Sequence, residues 1–127
     1  MMSRLFVAWT LILLYGCEEP AAPADPPTPF ERDLQDAFIG CTLCHNPSTK
    51  EAGLDLSDPW ALVGVRSTQA NMDLLVPGNH TESYLWHKVN GTQGIAGGMG
   101  QRMPTDQPWS EETIGTLGVW IDLGLPE

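Results

Sequence analysis

Cys41-Thr42-Leu43-Cys44-His45 is the stretch on which the reading of this 127-residue chain turns. Two cysteines stand three positions apart, and a histidine directly follows the second. This is the spacing of c-type haem attachment. The chemistry accounts for it. Two thiols about one helical turn apart can each add to a vinyl group of a haem, and the adjoining imidazole is then delivered beneath the iron as an axial ligand. The motif therefore predicts thioether attachment at Cys41 and Cys44, with His45 as an iron ligand. Three competing readings exist. A thioredoxin-like redox pair needs a strand–helix setting, and the segment upstream reads as helix only. Half a zinc site needs further ligands, and His80 and His87 are the only spare imidazoles. The pair could also be a chance coincidence.

Upstream of the motif, Thr28-Pro29-Phe30-Glu31 combines an N-cap, a proline at the first helical position and a glutamate placed for a capping box. The helix this predicts carries Phe30, Leu34, Ala37 or Phe38, and Cys41 on one apolar stripe, so the motif closes an amphipathic helix. Gly40 is expected to relax that helix just before the motif.

Downstream, a glycine-rich loop (Gly94, Gly97, Gly98, Gly100) leads to Arg102-Met103-Pro104. A thioether is a soft ligand that favours ferrous iron, and Met103 is the expected sixth ligand, its backbone fixed by Pro104. Met99, Met72, His80 and His87 are the rivals, and filling core space is the plain alternative for Met103. His80 and His87 fall on one expected helix, where exposed surface roles are the default.

The rest of the domain also reads as helices and loops. Gly53-Leu54-Asp55-Leu56 is a brief extended piece whose leucines would wall a haem edge. Ser57 or Asp58 caps a short helix from Pro59 over Trp60, Leu62 and Val63. Trp60 either hydrogen-bonds a haem propionate or is simple core. Pro77-Gly78 makes a turn. Asn79 and Glu82 cap a helix through about Val89, with Leu85 and Val89 paired and Tyr84 and Trp86 beside them. Ser110 starts the last helix, with Trp109 and Ile114 as a hydrophobic staple and Ile114, Leu117 and Ile121 as its buried stripe. Gly115 and Gly118 are costly inside a helix, and close approach of the first helix would justify them. Gly124 and Pro126 end it.

The N-terminus carries a different signal. Arg4 precedes an apolar run from Leu5 to Tyr15, shorter than the roughly 17–25 residues of a membrane helix. Residues 1–16 are read as an export signal. Leu14-Tyr15-Gly16-Cys17 resembles the bacterial lipobox, which predicts lipid on Cys17. Residues 17–29, EEPAAPADPPTP after that cysteine, form a Pro/Ala-rich linker that cannot bury enough surface to fold. Residues 30–127 form the folded domain. These expectations set it on the periplasmic face of a bacterial membrane, held there by lipid.

With 6 Lys plus Arg against 16 Asp plus Glu, the formal charge is −10. That balance argues against nucleic acid, whose phosphates demand a basic footprint, and permits a basic docking partner.

Taken together, these residues resemble class I-like c-type cytochrome domains of the planctomycete and myxobacterial type. The resemblance rests on Cys41 to His45, Gly53 to Leu56, Val76 to Asn79, Ser83 to Lys88, Arg102 to Pro104 and Trp120 to Gly124. His80 and Thr105 stand where such domains often have proline. The resemblance implies an all-α, cytochrome c-like fold with crossed N- and C-terminal helices around one covalent haem c. Cys41 and Cys44 are then the thioether sites, and His45 and Met103 the axial ligands.

The function expected is that of a monohaem carrier in periplasmic electron transfer, serving redox partner proteins and acting on no small-molecule substrate. No set of side chains for nucleophilic or acid–base catalysis is evident. The alternatives are a sensor or peroxidase-like domain with five-coordinate iron, and a non-haem lipoprotein holding a metal or a disulfide.

Overall fold

The computed structural model describes residue 26 and residues 28–127. The expected signal at 1–16, the lipid on Cys17 and most of the linker at 17–29 lie outside the described residues. The domain is helical with little strand. Its helices are α1 (Pro29–Asp33), α2 (Gln35–Cys41), α3 (Tyr84–Asn90) and α4 (Glu111–Asp122), with short 3₁₀ turns at Glu51–Gly53, Pro59–Leu62 and His80–Glu82.

The capping box is complete. Thr28 Oγ1 accepts from the Glu31 N–H at 3.2 Å, and the Thr28 N–H donates to Glu31 Oε2 at 3.0 Å. The helical stripe continues from α1 into α2, but the backbone kinks at the buried Leu34 (φ −125°, ψ −24°). α2 then runs through Gly40 to Cys41 unbroken, so the relaxation expected at Gly40 falls six residues earlier. Phe30, Leu34 and Phe38 are the buried members of the stripe.

That stripe packs on α4, which buries Ile114, Leu117, Trp120 and Ile121. Aromatic rings join the two, Phe30 and Phe38 lying 5.1 and 6.3 Å from Trp120 of α4 between centroids, and Trp60 and Trp109 extend the cluster at 4.7 Å from Phe30 and 5.7 Å from Phe38. Such pairs contribute about 0.5–1.5 kcal/mol each beyond the area they bury. The indole nitrogens tie this cluster to the C-terminus, Trp60 Nε1 donating to the Leu125 carbonyl at 3.0 Å and Trp120 Nε1 to that of Pro126 at 2.8 Å. Trp60 is thus half-buried against the core, its indole N–H spent on the C-terminus.

Asp58 caps the 3₁₀ turn at Pro59–Leu62, and Val63 lies exposed beyond it. The single helix expected from Asn79 to Val89 is in fact two elements. Asn79 caps the turn at His80–Glu82, Ser83 is extended (φ −94°, ψ 110°), and α3 begins at Tyr84. Ser83 is fully buried, and its hydroxyl accepts from the Val76 N–H and donates to the Asn79 carbonyl, each at 2.9 Å. The first N–H groups of a helix have no partner within it. Here Tyr84 and Leu85 donate theirs to the carbonyls of Asp73 and Leu74, at 2.9 and 3.1 Å. Those tertiary bonds replace a continuous helix.

The glycines of α4 also differ from expectation. A Cβ on Gly118 would stand 3.2 Å from Trp86 Nε1 and 3.6 Å from His80 Cγ, so the close neighbours come from α3 and the turn before it, not from the first helix. A Cβ on Gly115 would meet nothing within 4 Å. Gly115→Ala is therefore expected to stabilise the domain by up to about 1 kcal/mol, read as a higher urea midpoint at unchanged slope. Gly118→Ala falls short of that gain because Trp86 must shift to admit the methyl group.

Candidate functional site

One cleft of about 350 Å³ gathers the residues that the motif pointed to. Phe38, Leu54, Leu56, Leu74, Leu85 and Val89 supply its apolar walls, and Cys41, Cys44, His45 and Met103 all border it.

The motif is presented by the end of α2. Past Cys41 the chain makes one more turn, the N–H groups of Cys44 and His45 both donating to the Cys41 carbonyl at 3.2 and 3.0 Å. This keeps the two thiols on the same side. Cys41 is half-buried and Cys44 exposed, and they are not joined in a disulfide. Burial pushes the Cys41 thiol up to about 11, because a desolvated site disfavours the thiolate.

His45 is oriented by the backbone that follows it. Its Nδ1 lies 3.1 Å from the Glu51 carbonyl, which can only accept, so Nδ1 carries the proton. The Nε2 lone pair is thereby left for a metal, the arrangement by which a second partner fixes a ligating imidazole. Asn46 braces the same loop, accepting from the N–H groups of Ser48 and Thr49 at 2.9 Å and donating to the Thr42 carbonyl at 2.9 Å.

Met103 reaches the cleft from the far end of the chain. Its N–H donates to the Lys88 carbonyl at 3.0 Å, and Arg102 Nε donates to that of Val89 at 2.8 Å. The four rival ligands do not border the cleft. Met99 is 66% exposed, and Met72 packs against the core. The Asp122 carboxylate accepts from the His80 backbone N–H at 2.9 Å and from His80 Nδ1 at 2.7 Å, and these bonds hold that carboxyl below its usual range. His87 is engaged through both nitrogens, with Thr92 Oγ1 and the Thr81 carbonyl each at 2.8 Å. The two histidines do not share a helix. Among the described residues no group of three His, Cys, Asp or Glu side chains is placed to hold a metal, as a zinc site would require.

Sequence reasoning missed part of the cleft wall. Lys88 is buried, and its ammonium donates to Gln69 Oε1 at 2.6 Å and to the Met99 carbonyl at 2.9 Å. Desolvation lowers its pKa. Tyr84, one helical turn earlier, is buried with it. The available signal was position: Lys88 falls between Leu85 and Val89 on the apolar side of α3, where a lysine is out of place unless its head group has partners.

Two thiols, an imidazole with a free Nε2 and a thioether around apolar walls form a donor set suited to a covalent haem. Residues 41–96 match a family model described as planctomycete cytochrome C. No curated protein and no solved structure matches the chain. The matched segment begins at Cys41 and includes α3, and Met103 lies beyond it.

Proposed function

We propose, from the premise that this chain carries a cytochrome c domain of the planctomycete type, that it is a monohaem electron carrier of the periplasm. A cytochrome c domain implies haem c and a role in electron transfer. The finer reading assigns the thioether bonds to Cys41 and Cys44 and the axial positions to His45 and Met103. One observation carries it: Met103 borders the cleft that Cys41, Cys44 and His45 also border, and its four rivals do not.

The iron, when bound, supplies a one-electron couple. The chain's own contribution is to hold and enclose it. The Glu51 carbonyl orients His45, the carbonyl of Lys88 holds the Met103 backbone, and the leucines of the cleft would keep water from a bound haem. With both His45 and Met103 as ligands no coordination position would remain open to a substrate, which favours a carrier over an enzyme. A thioether also favours the ferrous state relative to a second imidazole.

The architecture fits a cytochrome c-like fold in which the N- and C-terminal helices cross beside the haem. In this reading residues 1–16 direct export, lipid on Cys17 anchors the protein at a periplasmic membrane face, and residues 17–29 tether the domain at 30–127. Its partners are then redox proteins. Absorption spectra of protein matured in cells that attach haem test the reading. The expected result is a reversible low-spin c-type spectrum that carbon monoxide leaves unchanged. A high-spin ferrous iron that takes up carbon monoxide overturns it in favour of a five-coordinate sensor or peroxidase-like site.

A further inference from the structure

Met99 and Met103 lie four positions apart on one loop, and both thioethers are chemically competent to bind iron. The backbone of Met99 is held on both of its polar groups. Its N–H donates to the Gln69 carbonyl at 3.2 Å, and its carbonyl accepts from Lys88 Nζ at 2.9 Å and from Tyr84 Oη at 3.3 Å. Lys88 Nζ also donates to Gln69 Oε1 at 2.6 Å, which joins the three clamping residues into one network. The glycines on either side let the loop lie against this network. A Cβ on Gly98 would stand 2.3 Å from the Tyr84 hydroxyl, and one on Gly100 would stand 3.0 Å from Lys88 Nζ. The result is a Met99 whose peptide is pinned while its side chain points to solvent.

The next contacts along the loop have the opposite effect. Arg102 and Met103 dock on the last carbonyls of α3, and Met103 borders the cleft. We propose that Tyr84, Lys88 and Gln69 are positioning residues that select between the two methionines, holding the Met99 thioether outside and delivering Met103 to the iron. This rests on the reading of Met103 as the axial ligand. Charge-assisted hydrogen bonds are among the stronger polar contacts, and those of Lys88 are partly shielded from water, so the clamp has the strength to bias a choice between two otherwise similar ligands.

The test uses haem-loaded protein and the proton NMR signals of the axial methionine methyl group in the ferrous state. Native protein and Met99→Leu are each expected to show one set. Lys88→Leu is expected to show two, and the added Met99→Leu change removes one of them. Imidazole, as a competing ligand, is expected to bind Lys88→Leu on the order of tenfold more tightly than native protein. A single set in Lys88→Leu, with native imidazole affinity, overturns the proposal. Should Lys88→Leu fail to retain haem, Tyr84→Phe removes one hydroxyl and carries the same test. A minor second set is then expected, and a single set overturns the proposal. Failure of the axial assignment itself looks different, because Met103→Ala would then leave the shifted methyl signal in place.

Discussion

Exported protein in which Cys41 and Cys44 are both serine is expected to carry no covalent haem and to lose its fold. The first part is read by intact mass, since native protein is expected to carry the added mass of a haem and the double variant cannot form a thioether. The second follows from the cleft. At roughly 24 cal/mol per Å³ of unfilled apolar volume, 350 Å³ corresponds to about 8 kcal/mol, an upper figure because the cleft opens to water. Domains of this size are stable by about 5–15 kcal/mol in total, so even part of that loss removes much of the stability. Far-UV circular dichroism and urea titration should show a loose or unfolded chain. A double variant that keeps the haem mass would remove Cys41 and Cys44 from the site. Native exported protein without that mass would return the motif to the metal or disulfide reading.

Met103→Ala is expected to have the opposite profile: haem retained, function altered. The thioether bonds do not involve this residue, so mass and c-type attachment persist. Without a soft sulfur ligand the ferrous state is less favoured, and the reduction potential should fall on the order of 100 mV. Each 59 mV of a one-electron couple is a tenfold change in the equilibrium between oxidised and reduced forms. The vacated coordination position should also let ferrous iron take up carbon monoxide. Met99→Ala should leave the potential where it was. Voltammetry on the two variants decides between the residues, and a native potential in Met103→Ala rules out this ligand.

Several features were legible in the chain because they are local. Thr28, Asp58, Asn79 and Ser110 each cap the element that follows, and each cap is set within about three residues by a side-chain oxygen and nearby N–H groups. The stripes Phe30–Leu34–Phe38 and Ile114–Leu117–Ile121 follow from helical period alone. The break at Ser83 did not, because it depends on carbonyls of Asp73 and Leu74 and on backbone groups of Val76. Gly118 meets Trp86 rather than the first helix for the same reason: helical period marks the close face, and packing alone chooses which element covers it.

By itself the sequence determined the chemistry. The spacing of Cys41, Cys44 and His45 is a property of five consecutive residues, and no packing is needed to recognise what such a set is able to attach. Only the tertiary structure decided which of the later candidates borders the cleft, which nitrogen of His45 is left free, and why a lysine lies among leucines on α3. Those outcomes rest on contacts between distant parts of the chain, the Lys88 carbonyl with Met103 and the Lys88 ammonium with Gln69 and Met99, and on the fold of one loop that brings Glu51 to His45. Hydrogen-bond partners of that kind are chosen by how the segments pack, which residue spacing along the chain does not encode.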